Sequence, residues 1–192
     1  MRNNKGFTMI ELLGAIIVLG ILMGTAVPTV MNILSDQKNK TYIEDAIRLA
    51  SNADNKMRGD NKIAIPPRNG GCVVITLSYM DNNAFEKAPY GGMYDKQASF
   101  VVASRNAKDD DEEYTYYVVL VEKTKGGSYR GVNLVNSNDL YLDGARDSKV
   151  ENVGSSALIY PGGMTAGTLL TSLRSVRSGI CPNGISGIYF SS

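Results

Sequence analysis

The chain has 192 residues, in which 20 lysines and arginines stand against 19 aspartates and glutamates, for a formal net charge of +1. It contains no histidine, which excludes Ser-His-Asp and Cys-His catalysis and histidine-ligated metals. The near-neutral charge gives no reason to expect strong attraction to nucleic acid. We therefore expect a protein that is not an enzyme and that carries no cofactor or metal.

An apolar run, Phe7–Val30, is the first feature along the chain. About 20 apolar residues suffice to span the hydrocarbon of a bilayer, so this run predicts a membrane-spanning helix. Arg2 and Lys5 precede it and predict a cytoplasmic N-terminus, with everything after Leu34 on the other side. One carboxylate, Glu11, lies inside the run, although an acid in a membrane helix costs about 2.5–3.5 kcal/mol at the bilayer centre.

The position of Glu11 separates the interpretations of this segment. Its neighbours at helical spacing carry no basic side chain, so we expect its partner to lie elsewhere than on its own helix. These neighbours are Phe7, Thr8, Gly14 and Ala15. A secretory signal peptide has a passable cleavage site at Gly24-Thr25-Ala26, but its apolar core would be shorter and free of acids. A plain membrane anchor fits the length and leaves Glu11 unexplained.

A third interpretation rests on "KGFTMIEL", residues 5–12, which resembles the processing site of type IV prepilins. In that family a membrane peptidase removes a short basic leader after a glycine. The same enzyme N-methylates the new N-terminal residue, which is usually phenylalanine. The resemblance implies cleavage between Gly6 and Phe7 and methylation of Phe7. It also places Glu11 four residues after Phe7, where the family keeps a glutamate.

The resemblance further implies that Glu11 acts in assembly. Cleavage would create an α-amine on Phe7 with an ordinary pKa of about 7.7–8.0, and methylation leaves its charge in place. In the family's filaments, this amine on one subunit is thought to pair with the glutamate of a neighbour. Because a buried carboxylate without a partner is strongly unfavourable, such pairing would set the register between identical subunits.

Gly20 and Pro28 also fall where the family has a helix-breaking glycine and proline. In filaments of the family the helix can loosen between them. Proline removes a helix hydrogen bond and glycine lowers helix propensity, which agrees with that role. The alternative is that Gly14, Gly20 and Gly24 allow close packing of helices in lipid. The sequence leaves both interpretations open.

These observations divide the chain into four segments. They are a cleaved leader at 1–6, a transmembrane and filament-core helix at 7–34, an amphipathic helix continuation at 35–58 and an exported β-rich domain at 59–192. Loss of the leader removes Arg2 and Lys5 and changes the formal net charge from +1 to −1. A soluble domain of about 130–140 residues is large enough to bury a workable core.

The apolar side chains between Thr41 and Met57 recur at i, i+3, i+4 and i+7, which is typical of a helix with one apolar side. They are Ile43, Ala46, Ile47, Ala50, Ala53 and Met57. We predict one helix from about Phe7 to Met57, roughly 75 Å long at about 1.5 Å per residue. Gly59 and Pro66-Pro67 are expected to end it.

The remainder of the chain predicts strands, because its segments are rich in β-branched and aromatic residues. The predicted strands are Cys72–Tyr79, Ala98–Ser104, Tyr114–Glu122, Ser128–Val135 and Ile185–Phe190, with a turn at Lys123–Gly127 and a short helix at Thr168–Gly179. Short turns favour an antiparallel sheet, one face of which would cover the apolar side of the long helix. The predicted fold class is α+β and type IV pilin-like.

Cys72 and Cys181 lie 109 residues apart, and in an exported domain such a pair suggests a disulfide. In the chain-entropy model, closing so long a loop stabilises the fold by about 4–5 kcal/mol. Pilins of many Gram-negative bacteria close their C-terminal region in this way. The alternative is two buried free thiols that act as small hydrophobic side chains.

Three further patterns are weaker. The acidic run Lys108–Glu113 has oxygen ligands for calcium, but adjacent acids point apart and are typical of a solvated loop. Asn39-Lys40-Thr41 matches a glycosylation sequon but lies on the predicted helix. The stretch "YGGMY", Tyr90–Tyr94, favours a turn over a ligand cradle.

The sequence therefore predicts a structural subunit of a type IV pilus, held in the cytoplasmic membrane and then assembled into a surface filament. Its expected partners are further copies of the chain, the prepilin peptidase, a membrane platform protein and an assembly ATPase, as in the family. A pseudopilin of a type II secretion or DNA-uptake machine shares the same N-terminal features. A minor pilin and a membrane-anchored extracellular binding protein are also compatible with the sequence.

Overall fold

The structure, a computed structural model, describes residues 6–68, 70–80, 85–105, 114–142 and 149–191. The chain divides into two compact units, Met1–Gln37 and Lys38–Ser192. The acidic run Lys108–Glu113, a weak candidate for calcium, lies outside the described residues, as do the leader residues Arg2 and Lys5.

Three α-helices and seven strands make up the regular structure of the described residues. The helices are α1 at Met9–Gly59, α2 at Leu77–Met80 and α3 at Ala166–Val176. The strands are β1 at Cys72–Thr76, β2 at Met93–Tyr94, β3 at Phe100–Arg105, β4 at Tyr114–Lys123, β5 at Tyr129–Asn136, β6 at Glu151–Val153 and β7 at Ile185–Tyr189. Short 3₁₀ turns lie at Ser137–Tyr141, Ser155–Ala157 and Pro161–Gly163.

The first unit consists of the N-terminal part of α1. Its large apolar side chains from Phe7 to Leu34 are all exposed, from 50% at Val27 to 91% at Met9. The helix is long and apolar enough to cross a membrane. The described part of the chain therefore leaves this surface uncovered, as expected of a segment that lies in lipid or against other helices.

The second unit begins with the rest of α1, whose apolar side is buried as predicted. The buried side chains are Asn39, Tyr42, Ile43, Ala46, Leu49, Ala50, Ala53 and Met57. The prediction of one long helix is confirmed, with its ends at Met9 and Gly59 instead of Phe7 and Met57. Tyr42 and Leu49 are fully buried, although the helical pattern did not single them out.

One seven-stranded sheet, in the order β6-β5-β4-β3-β1-β7 with β2 beside β4, fills the centre of the described part of this unit. Neighbouring strands are antiparallel except β1 and β7, which run parallel. The sheet is therefore mixed, not wholly antiparallel. The chain between β6 and β7 contains α3, which gives the last strand a helical crossover of the kind that parallel pairing needs.

Strand β1 ends at Thr76, three residues before the predicted end at Tyr79. The Thr76 hydroxyl accepts a hydrogen bond from the Tyr79 backbone N–H at 3.3 Å. A threonine in this position caps a helix, so the chain turns into α2 where the apolar pattern alone would continue the strand. The predicted turn after β4 is confirmed, and Gly127 adopts the left-handed φ of +80° that it requires.

Both faces of the sheet are covered. On one face Tyr42, Ala46 and Leu49 of α1 pack in the same core as Val73, Val101 and Leu120. On the other face Leu169 and Leu173 of α3 pack with Val74, Phe100 and Val102. The predicted α+β, pilin-like class is confirmed by the long helix on the sheet. The cover on the second face is a layer that the sequence did not predict.

Two buried tyrosines fasten α1 to the sheet. The Tyr42 hydroxyl lies 2.9 Å from the Arg130 carbonyl oxygen, and the Tyr94 hydroxyl donates to Asp45 at 2.8 Å. The two rings meet edge to face with centroids 5.4 Å apart. Burial, reinforced by nearby carboxylates, raises the pKa of both hydroxyls above the ordinary value for tyrosine.

We expect these two tyrosines to resist ionisation until the second unit unfolds. Because folding raises their pKa, their contribution to stability is present below the ordinary pKa of about 10 and is lost as the pH rises beyond it. An absorbance titration at 295 nm, followed beside circular dichroism, should show their ionisation coinciding with loss of structure. Tyr94→Phe should remove one equivalent from that late phase. Titration of all tyrosines near pH 10 with the spectrum still native would contradict the burial described here.

Candidate functional site

The start of α1 is closed by a reciprocal pair of hydrogen bonds between Thr8 and Glu11. The Glu11 carboxylate oxygen Oε2 accepts the Thr8 backbone N–H at 2.8 Å and the Thr8 hydroxyl at 2.8 Å. The Glu11 backbone N–H in turn points to the Thr8 hydroxyl oxygen at 3.4 Å. This is a capping box, which satisfies backbone donors that the first turn of a helix leaves without acceptors.

The capping box corrects the expectation that Glu11 has no partner on its own helix. That expectation considered basic side chains only, and none is present at helical spacing. The missed signal is the spacing Thr8-Met9-Ile10-Glu11, because threonine followed three residues later by glutamate before an apolar run marks a helix start. Glu11 is therefore already hydrogen-bonded in the free chain.

The predicted cleavage position lies immediately before the capping box. Gly6 and Phe7 precede the first helical residue and are exposed, Phe7 to 89%. No other part of the described structure lies within 4 Å of the position that a Cβ on Gly6 would occupy. Cleavage between Gly6 and Phe7 would remove no atom of the Thr8–Glu11 pair, so the shortened chain keeps its helix cap.

Gly20 and Pro28 lie inside α1, which is unbroken between them in the free chain. Pro28 has no N–H, so the helix bond to the Gly24 carbonyl cannot form. Gly14, Gly20 and Gly24 face open space, and an added Cβ would meet nothing within 4 Å. The small size of these glycines therefore serves no contact within the described part of the chain. The predictions of helix loosening and of close packing both concern assembled helices.

The structure joins Cys72 and Cys181 in a disulfide with their Cα atoms 5.4 Å apart, so the predicted bond is confirmed over the alternative of free thiols. Cys72 begins β1, and Cys181 lies in the loop after α3; both are buried. The Arg174 side chain donates to the Cys181 and Pro182 carbonyl oxygens at 2.9 and 3.2 Å. Disulfide and arginine together fix the C-terminal segment against the second face of the sheet.

The sequon at Asn39 does not present its side chain to a modifying enzyme. Asn39 is buried, and its Oδ1 accepts a hydrogen bond from the Tyr90 hydroxyl. Among the described residues, no group of three or more histidine, cysteine, aspartate or glutamate side chains is placed to hold a metal ion.

A fully buried acid, Glu122 at the end of β4, was not found by sequence reasoning. Its carboxylate accepts the backbone N–H groups of Gly92 at 2.7 Å and Tyr90 at 3.3 Å. Gly92 has to be a glycine there, because a Cβ would lie 2.0 Å from the Lys123 carbonyl oxygen. The stretch Tyr90–Tyr94 thus forms a loop that Glu122 anchors. Its glycines indicate a turn, but nothing in the stretch indicates which acid binds its backbone.

We expect the capping box to stabilise the first turn of α1 measurably. Thr8→Ala removes the side-chain acceptor and should destabilise the helix start by about 0.5–2 kcal/mol, while Thr8→Ser keeps it. Hydrogen exchange of the Glu11 amide in detergent micelles measures the change: exchange should accelerate in Thr8→Ala and not in Thr8→Ser. Equal exchange in the two variants would show that the box does not hold the helix start.

Residues 1–27 match the family model of the prokaryotic N-terminal methylation motif. This is the type IV prepilin-like signature, so the resemblance drawn from residues 5–12 is confirmed. The match covers the leader, the Gly6–Phe7 junction and Glu11, and it ends one residue before Pro28. No curated protein and no solved structure matches the chain. The motif supports a pilin-like or pseudopilin-like substrate of prepilin peptidase.

Proposed function

We propose that the chain is a structural subunit of a type IV pilus, cleaved between Gly6 and Phe7, methylated on Phe7 and polymerised through packing of α1. The observation that carries this proposal is the apolar stretch of α1 from Phe7 to Leu34, which follows the methylation motif and is left uncovered by the rest of the described chain. A surface of this size needs lipid before assembly and other helices after it.

The proposed function places the chain first in the cytoplasmic membrane and then in a surface filament. It begins as a single-pass protein of the cytoplasmic membrane with its N-terminus inside, because Arg2 and Lys5 precede the apolar run. It ends in a filament on the cell surface. Its partners would be the peptidase, further copies of itself, a platform protein and an assembly ATPase, as in the family. The chain performs no reaction; the chemistry is performed on it.

Glu11 has a place in both states. In the described part of the free chain, the Glu11 oxygen Oε2 accepts both Thr8 hydrogen bonds. The other oxygen, Oε1, can therefore accept a hydrogen bond from a donor outside the chain. In the filament, the methylated amine of Phe7 from a neighbouring subunit would be that donor, and its positive charge would neutralise a carboxylate removed from water. Capping and pairing are therefore compatible, because each uses a different oxygen.

A pseudopilin is the second candidate, and the same motif supports it. Such a subunit shares the leader, the cleavage position and the long helix, so α1 does not discriminate between the two. A minor pilin is equally compatible with these features.

Two Glu11 variants separate pairing from capping. Glutamine is a capping-box residue, so Glu11→Gln keeps the cap and removes the charge, whereas Glu11→Ala removes both. If charge pairing drives assembly, both variants should be cleaved normally and both should give few filaments. Mass measurement of the subunit reports cleavage, and the amount of subunit in sheared surface material of the native host reports assembly.

Thr8→Ala is the matched control, because it weakens the cap and keeps the charge. It should be cleaved and should assemble far better than either Glu11 variant. Wild-type filament yield from Glu11→Ala would rule out the registration role. Normal yield from Glu11→Gln together with a low yield from Glu11→Ala and Thr8→Ala would reduce Glu11 to a helix cap.

A further inference from the structure

Four basic residues surround the loop around Tyr90, at the end of the second unit where its part of α1 begins. They are Lys38, Lys123, Lys125 and Arg130, and we call this group the basic end. Lys38 is the first residue of the second unit, Lys123 ends β4, Lys125 lies in the turn between β4 and β5, and Arg130 is the second residue of β5. Lys38 of α1 and the β4–β5 hairpin thus come to the same end of the unit, with Arg130 on the α1 side of the sheet and Lys123 on the other.

Contacts with the loop place these side chains together. The Lys38 Nζ lies 5.3 Å from the centroid of the Tyr90 ring, and the Arg130 guanidinium carbon lies 4.3 Å from the same centroid. The Lys125 Cε is 3.8 Å from the position of a Cβ on the adjacent Gly91. Lys123 pairs with Met93 across the β2–β4 ladder, and because it is adjacent to Glu122 its side chain points to the opposite face of the sheet at the same end.

No member of the basic end forms an ion pair with an acid among the described residues. Within the described ranges, ion pairs join Lys40 to Glu44, Arg48 to Asp45 and Arg58 to Asp54, and they include no member of the basic end. Glu122 is the acid opposite Arg130 in the ladder, but it is fully buried and accepts two backbone N–H groups. Lys38, Lys123 and Lys125 are exposed, so their charges face outwards.

The basic end also carries apolar and aromatic surface. Met93, which pairs with Lys123, is 70% exposed. Tyr90 is partly exposed, and its ring contacts Lys38 and Arg130. Lysine and arginine with a tyrosine and an exposed apolar side chain are typical of surfaces that lie at the level of lipid headgroups. A purely solvated face would not need to expose a methionine there.

We propose that the basic end binds the anionic headgroups of the membrane in which the unassembled subunit is anchored. This inference rests on the proposed membrane anchoring of the apolar stretch. Lys38 follows Leu34, the end of that stretch, by four residues, or about 6 Å of helix. If the apolar stretch lies in the bilayer, Lys38 is therefore within about one Debye length of the headgroups, and the tether keeps their effective concentration near the basic end high.

A membrane is favoured over nucleic acid as the occupant. The processed chain has a formal net charge of −1, so long-range attraction to DNA is weak, whereas the tether supplies the membrane without any encounter step. Binding would hold the folded unit at the bilayer before assembly and would have to be released when the subunit enters a filament.

Hydrogen exchange on the full chain in nanodiscs tests this proposal. One preparation contains phosphatidylcholine only, and the other contains phosphatidylglycerol as well. With the anionic lipid, the Thr124–Ser128 and Tyr90–Met93 amides should exchange several-fold more slowly, while peptides of α3 should not change. The protection should disappear at high salt, because headgroup binding is electrostatic.

Charge reversal supplies the variant and its control. Lys123→Glu with Lys125→Glu should abolish the protection, and unchanged exchange of α3 peptides would show that the unit remains folded. The control is Lys62→Glu with Arg68→Glu, which changes the net charge by the same amount as the first pair. These two residues follow the C-terminal end of α1, away from the basic end, so the protection should remain. The same exchange rates in both nanodiscs, or protection that survives charge reversal at the basic end, would overturn the proposal.

Two further outcomes are distinct. Protection that is absent with anionic lipid and appears on adding duplex DNA would replace the membrane by nucleic acid and overturn the proposal. A chain that fails to co-elute with nanodiscs would overturn the membrane anchoring itself, and the inference with it. Co-elution without protection would overturn the inference alone and leave the proposed function standing.

Discussion

The apolar stretch of α1 has no cover within the described part of its own chain, and the rest of the account depends on that constraint. Between Phe7 and Leu34 the large side chains are at least half exposed, whereas the same helix beyond Lys38 buries one side on the sheet. One helix thus carries two surfaces with different requirements: the first needs lipid or other helices, and the second is satisfied within the chain. A subunit that passes from membrane to filament exchanges one cover of the first surface for another and keeps the second unchanged.

The second surface is secured independently of the first. Tyr42 and Tyr94 bond α1 to the sheet, and Glu122 holds the adjoining loop through two backbone N–H groups. The Cys72–Cys181 disulfide fixes the C-terminal cover on the opposite face. A unit closed on both faces can keep its structure while the N-terminal stretch changes its surroundings, which is what the proposed assembly requires.

The sequence predicted what depends on periodicity and local motifs, and it failed where distant residues decide. The long helix, the strand segments and the disulfide follow from apolar spacing, β-branched composition and the cysteine pair. Strand β7 pairs in parallel with β1, which lies more than a hundred residues earlier in the chain. No local sequence signal indicates a pairing between strands so far apart. Glu122 reads as an ordinary strand residue, and its role appears only when Gly92 is brought beside it. The Thr8–Glu11 capping box can be recognised in the sequence from its three-residue spacing. A search for basic partners of Glu11 misses it, because the partner is a threonine that forms hydrogen bonds.

The most direct test of the central claim is the mass of the chain in sheared surface material from the native host. Intact and fragment-ion mass spectrometry should find a chain that begins at Phe7 and carries one added methyl group. That result would establish both the processing at the Gly6–Phe7 junction and membership of a surface filament. A chain that begins at Met1 or near Val27, or that is absent from the sheared fraction, would contradict the account of a processed pilus subunit.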